Sequence, residues 1–599
     1  MNRHLILAMV GCTSALMLPG CVDDSYDLSD IDTTSRINVN GLVVPMNLDE
    51  ITLDNVISFD EDSKIQPVTI GGETFYALTE KGTFDSDPIE IEQVKTSRPD
   101  MTPKQETFFT TETPAYKSRR APSKYAISYK MTEIDNKFEY SATDVDEAIK
   151  EIYAIGVKDL TFSMNLESKN LSSKVDRSYF HNVVIQMPTG MEGTPSVGTY
   201  SSATGLWNIP DLEVSGSHTS INFKATKIDM SKNDFHLNPT ARTMEFRGDF
   251  KLVSGILTLE PAMNGSIPHS LPQSITFETG FDLSAMTVTS ITGVIEYELG
   301  GLDIDPISLT DIPDFLSCEG TNILLANPQI YLEVNNPLEA YNLSYSAGLT
   351  LTANRPAAPA GLHSLPYSAA SPIVVEKSNG VDGMHQFVLS PSDKNLNIPE
   401  GFSSRSLHYT PYPQLSNVLA MPKNSVGFSE LPNTIDVTLT DAMVPRQSVT
   451  DFKLGVKLPS VEGRYNFIAP LALKEGSLII YNDTLDGWGS EDLDALVIEE
   501  LTLTSLATNR TPLDAQVVAY PIDTDGNRIP NVTLSTSLLK ANSTDEPLEI
   551  KLSGRIERLD GIILEARVNP GSDTALSPDQ TILFRKIRAK VSGYYTKKF

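Results

Sequence analysis

Eight histidines are spread so thinly through this 599-residue chain that the closest pair, His218 and His236, stands 18 positions apart. A local zinc motif places two histidines one helical turn from each other, so no metal site and no other cofactor is expected. The sequence Gly193-Thr-Pro-Ser196-Val-Gly198 sets its first glycine three residues before the serine, where a nucleophile elbow needs two. There is no phosphate-cradling glycine loop and no cysteine beside a local base. No catalytic residue is assigned, and the chain reads as a non-enzyme. Paired carboxylates on separate strands would leave no linear trace, and with 77 acidic residues a carboxylate-based glycosidase stays as a third reading.

Two polar loops remain. Asp523-Thr-Asp525-Gly526-Asn527 starts like a calcium loop but lacks the sixth-position glycine and the distal glutamate, so a hairpin turn is expected. Tyr481-Asn-Asp483-Thr-Leu-Asp486-Gly-Trp488 puts one of only two tryptophans among carboxylates and amides. An indole that stacks on a sugar ring, with Tyr481, Asp483 and Asp486 binding its hydroxyls, would make this a glycan site. The competing expectation is a tryptophan that plugs one end of a β-sandwich, and the same choice applies to Trp207 in Gly205-Leu-Trp-Asn-Ile-Pro210.

The three cysteines give the address. Residues 1–20 have a basic start at Arg3, an apolar run from Leu5 to Leu18 and small residues before Cys21, the layout of a secretory signal whose run is too short to span a bilayer. Leu18-Pro19-Gly20-Cys21 resembles the bacterial lipobox, although Pro19 departs from the usual small residue. The resemblance implies lipid on Cys21 as the new N-terminus. Met9-Val10-Gly11-Cys12 is a rival with a much shorter apolar run. Asp23, Asp24, Asp27, Asp30 and Asp32 follow with no base before Arg36, which resembles the surface-export signal of Bacteroidota lipoproteins. If Cys12 leaves and Cys21 is acylated, only Cys318 keeps a thiol, expected to be buried and inert. Thr33, Thr484 and Thr574 stand in Asp-Thr triplets similar to the O-glycosylation sequon of exported Bacteroidota proteins.

The formal charge is −30, and it becomes −31 without residues 1–20, which hold Arg3 and no acid. Nucleic acid is excluded as a partner, and adsorption to anionic lipid through basic patches is not expected.

The elements are read from periodicity. Met244, Phe246, Phe250 and Leu252 alternate with charged residues, as do Ile295, Tyr297 and Leu299, then Leu548, Ile550 and Leu552, then Ile587, Ala589 and Val591. A period of two means strands with one buried face. Asn264-Gly265, Asp486-Gly487, Asp525-Gly526 and Asp560-Gly561 read as turns. One segment departs: Val145, Ile149, Ile152 and Tyr153, capped at Thr143 or Asp144 and stopped at Gly156, predict an isolated amphipathic helix over 144–155. The fold class expected is all-β, tandem antiparallel Ig-like sandwiches with that one helix. The divisions expected are a signal peptide (1–20), an acidic tether (21–36), an N-terminal β region (37–95), a linker or long loop (96–124) and β-sandwiches at 125–300, 301–445 and 446–599. Arg119-Arg120 within the linker could be a protease site, and Asn-Arg-Pro-Ala-Ala-Pro softens 353–372.

Gly41-Leu-Val-Val-Pro45 through Ile51 faintly parallels Gly301 through Ile312. Asn335-Asn-Pro-Leu338 and Asn509-Arg-Thr-Pro-Leu513 each end an apolar strand. The asparagine-proline after Leu324-Leu325-Ala326 resembles the Ig-like sandwich of late-embryogenesis-abundant domains, which implies tandem sandwiches and no ligand. The expectation is a lipid-anchored outer-membrane protein facing the cell exterior, a non-catalytic binding, structural or adhesion module with a glycan or another surface protein as partner. The alternative is a glycan-binding lipoprotein of a polysaccharide-uptake system.

Overall fold

The computed structural model describes residues 34–45, 64–111, 125–168, 173–214, 218–302, 304–309, 320–378, 383–420, 431–488, 496–570 and 573–598. Cys21, the acidic tether, Thr33, Arg119, Arg120 and Cys318 lie outside these residues. Among the described residues the fold is all-β and sandwich-like, and no helix reaches seven residues.

The alternation seen in the sequence becomes burial. Along Tyr345–Asn354 every second side chain is buried, and Met244, Phe246, Phe250 and Leu252 are at most 1% exposed. Phe250 stacks on Phe138 at 4.8 Å and meets the edge of Phe162 at 4.5 Å. Each such ring removed from water contributes roughly 1.5–3 kcal/mol, which is why one face of each strand points inward.

Sixteen strands carry the architecture: β1 (Thr34–Pro45), β2 (Ile65–Ile70), β3 (Glu73–Asp85), β4 (Ile149–Lys158), β5 (Thr243–Pro261), β6 (Thr287–Glu298), β7 (Gln329–Asn335), β8 (Tyr345–Asn354), β9 (Thr434–Lys453), β10 (Glu462–Pro470), β11 (Ile479–Leu485), β12 (Leu496–Asn509), β13 (Leu513–Asp523), β14 (Ser543–Ile556), β15 (Leu559–Pro570) and β16 (Ile582–Lys598). They form three sandwiches that nest along the chain. The basal sandwich has β1, β16, β12 and β14 in one sheet and β11, β15 and β13 in the other. In the middle sandwich β2, β3, β10 and β7 form a sheet over β8 and β9. The inner sandwich, built on β4, β5 and β6, occupies the middle of the sequence, and its strands belong to the same continuous twenty-stranded sheet as β8 and β9. The path therefore runs basal, middle, inner, middle, basal. Its ends meet, since Thr34 pairs with Lys598 and Pro45 with Arg588.

Contiguous boundaries at 300/301 and 445/446 do not delimit these units. Strand β9 crosses the second boundary, pairing with β8 through Thr434–Met443 and with β6 through Met443–Lys453. The 37–95 region is likewise divided, β1 to the basal sandwich and the β2–β3 hairpin to the middle one, where β3 pairs with β10. Part of the 96–124 linker is ordered: Lys104–Thr110 is a strand on Ser274–Thr279. The 353–372 stretch holds a strand, Ser364–Ser368, on β8, and beside it Arg355 is fully buried.

The helix over 144–155 is not formed. Asp144 takes a left-handed turn (φ 62°), the Asp146 carboxylate accepts the backbone N–H groups of Ala148 and Glu92, both at 2.9 Å, and β4 follows. Irregularities in the β4–β6 ladder shift its register three times, so Ile149, Ile152 and Ile155 reach the core at a spacing of three. That spacing imitates a helix, but pairing to β6 decides the outcome. Gly156, expected to stop the helix, lies within the strand, where an added Cβ would meet the Ser290 Oγ at 2.3 Å.

Two buried asparagines turn corners in the same way. The Asn336 Oδ1 accepts the Leu338 N–H and the Asn509 Oδ1 accepts the Thr511 N–H, each at 3.0 Å. Their Nδ2 groups donate to the Leu343 and Leu513 carbonyls. These Asx corners follow the ends of β7 and β12.

Candidate functional site: the basal sandwich and its basic strand

The residues expected to bind glycan all sit at β11, an edge strand of the basal sandwich. Tyr481 and Asp483 stand opposite Ala566 and Leu564 in the β15 ladder, while Asn482 and Thr484 stand opposite Glu565 and Ile563. Asp486 and Gly487 are exposed, and Trp488 is half-buried against the apolar core. Its ring is spent partly on packing. Trp207 is 2% exposed, with its Nε1 donating to the Val197 carbonyl at 2.7 Å and Phe223 5.9 Å away. It plugs the inner sandwich. Thr484 and Thr574 are exposed.

Asp523–Asn527 forms the expected hairpin turn. The Asp523 Oδ1 accepts the backbone N–H groups of Asp525 and Asn527, each at 2.9 Å, and Gly526 takes φ 78°. The turn expected at Asp560-Gly561 lies three residues earlier: Glu557 and Arg558 (φ 55°) make the connection, and Gly561 pairs with Ile522 inside β15. Among the described residues no three His, Cys, Asp or Glu side chains gather as a metal site.

Sequence reading passed over two charged groupings. On the outer face of β13 and β15, the Glu565 side chain is only 9% exposed and accepts the Arg567 Nε at 2.9 Å, with Arg528 3.6 Å away. The Arg528 guanidinium stacks over the Tyr520 ring at 3.9 Å. This carboxylate is held by cations on two sides.

The second grouping is β16 itself. Ile582–Lys598 holds Arg585, Lys586, Arg588, Lys590, Lys597 and Lys598 and no acid, in a chain whose net charge is −30. Ala589 and Val591 point into the core at 3% and 1% exposure. The alternate residues Arg588 and Lys590 therefore point outward, opposite Thr504 and Thr502 of β12, with Arg585 opposite Leu506. On the other side Val43 and Pro45 of β1 stand opposite Lys590 and Arg588. Arg585, Lys586, Arg588 and Lys590 are exposed, and no ion pair engages any of them among the described residues. Elsewhere on this sheet the cations are paired: Arg36 with Glu499 at 2.8 Å, Lys551 with Glu549 at 2.9 Å and Arg555 with Glu557 at 2.6 Å. The Lys590 stem lies over the β1 bulge, where a Cβ on Gly41 (φ 71°) would come within 3.0 Å of its Cε. The arrangement is an open row of cations beside an exposed valine. Counting charge by segment rather than over the whole chain would have found it.

No family description and no curated protein matches this chain. Among solved structures it is similar to a Parabacteroides distasonis protein whose name records only an expected secretion, at 14% identity over 50% of this chain and 90% of that one, with a TM-score of 0.35. A chain from an archaeal virus, described for its triple jelly roll fold and turret assembly, aligns at 10% identity over 84% of this chain and 90% of that one, with a TM-score of 0.09. Neither likeness is close enough to carry a function across.

Proposed function

We propose that this protein is a lipid-anchored surface protein of the outer membrane, held by Cys21, that works as a non-catalytic binding or structural module. The observation that carries the reading is the β1–β16 ladder. Only residues 22–33 separate Cys21 from β1, a reach of about 45 Å when fully extended. The ladder thus ties the basal sandwich to the anchor, and the nested path leaves the inner sandwich furthest along the chain from it in both directions. The acidic residues from Asp23 to Asp32 keep the tether in water while the acyl chains stay in the bilayer.

Metabolic labelling with an alkyne fatty acid tests the anchor. Wild-type protein is expected to take the label and Cys21→Ser to lose it and leave the membrane fraction, whereas label retained in Cys21→Ser would remove the basis of the reading. Digestion of the chain by protease added to intact cells tests the outward orientation. With Trp207 in the core, the glycan-uptake alternative rests on Trp488 alone. Polysaccharide affinity lost in Trp488→Ala, with folding kept, would favour that alternative.

A further inference from the structure

We propose that the exposed basic segment of β16, through Arg585, Lys586, Arg588 and Lys590, docks on the anionic phosphate headgroups of the membrane that holds the anchor, setting which way the molecule stands. The proposal rests on the lipid-anchor reading. Its charge argument comes from contrast. A body of net charge −30 is repelled by an anionic surface, so only a face with locally uncompensated cations can approach. The described cations of this basal sheet outside β16 are held in carboxylate pairs, while these four, within six residues, are unpaired among the described residues.

Position adds to charge. Arg588 and Lys590 share a ladder with the far end of β1, the first described segment after the tether, standing opposite Pro45 and Val43, and the Lys590 stem lies on the β1 bulge. Val43, 51% exposed and opposite Lys590, adds an apolar contact suited to an interface. Each cation brought to an anionic surface adds a gain that fades within a Debye length. The acyl chains then supply retention, and β16 supplies orientation.

The test uses full-length lipidated protein on vesicles of pure phosphatidylcholine or with 30% phosphatidylglycerol. Amine acylation at Lys586 and Lys590 is read by mass spectrometry, with Lys227 of the inner sandwich as reference. The expected result is a several-fold slowing at Lys586 and Lys590 on anionic vesicles only, reversed by 0.5 M salt, with Lys227 unchanged. Equal rates on both vesicles would overturn it. So would slowing already present in unlipidated protein without vesicles and relieved by Asp→Asn changes at 23, 24, 27, 30 and 32, because the acidic tether would then be the occupant.

The unlipidated Cys21→Ser chain separates this failure from failure of the anchor. At low salt it should co-float with fully anionic vesicles, and an Arg585→Gln/Lys586→Gln/Arg588→Gln/Lys590→Gln variant should float at least tenfold less, whatever fatty-acid labelling reports. Equal flotation of the two would count against the basic face and leave the anchor untouched.

Discussion

At the scale of single residues, the polar side chains of this protein mostly hold backbone and neighbouring strands in place. Glu333 is the clearest case: its carboxylate lies between the Arg464 guanidinium and the Gln386 amide, which also reaches the Gly401 carbonyl. Burial pushes its pKa up, but the hydrogen bonds from Arg464 and Gln386 win, and the group titrates below its ordinary 4.5. A depressed folded-state pKa stabilises the fold above the unfolded value, and that contribution fades as pH falls through the folded value. The stability gap between wild type and Glu333→Gln should accordingly be full above about pH 4.5 and shrink below it, as read by urea denaturation across pH 3–7. A gap that widened on acidification would mean the carboxylate is held in its neutral form.

At the scale of elements, the decisive case is β4. A helix over 144–155 would put Ile152 and Tyr153 on one buried face, whereas the strand buries Ile155 completely and leaves Tyr153 45% exposed. Ile155→Ala should cost about 2–5 kcal/mol in denaturant unfolding, and Tyr153→Ala less than about 1 kcal/mol. Similar costs at both positions would restore the helix. The Asx corners at Asn336 and Asn509 were half legible: the asparagines at strand ends stood out, but which of Asn335 and Asn336 turned the corner depended on the fold. The Asp560-Gly561 signal misled because the β14–β15 connection closed on Glu557-Arg558, leaving Gly561 to pair with Ile522.

At the scale of the molecule, nesting makes each sandwich depend on distant sequence. The inner sandwich needs Lys104–Thr110 on one strand and β9 beside β6, and neither lies within 125–300. A 125–300 fragment should therefore fail to unfold cooperatively and should exchange its β6 amides rapidly, while the full chain protects them. Hydrogen exchange measured by mass spectrometry on both would decide this. A fragment as well protected as the full chain would restore contiguous domains.

Local alternation sufficed to fix the strand-rich character, the buried faces of β5, β14 and β16 and the Asp523–Asn527 turn, because a period of two and a turn's φ requirements are properties of a few adjacent residues. The cation row was written in Arg585–Lys590 as well, but an average over 599 residues concealed it. Tertiary structure alone decided that β1 pairs with β16, that Trp207 is core and Trp488 only half free, and that an isoleucine spacing of three becomes a strand. Strand pairing joins residues more than five hundred positions apart, as Thr34 and Lys598 are, and no local pattern encodes which edge a strand will find.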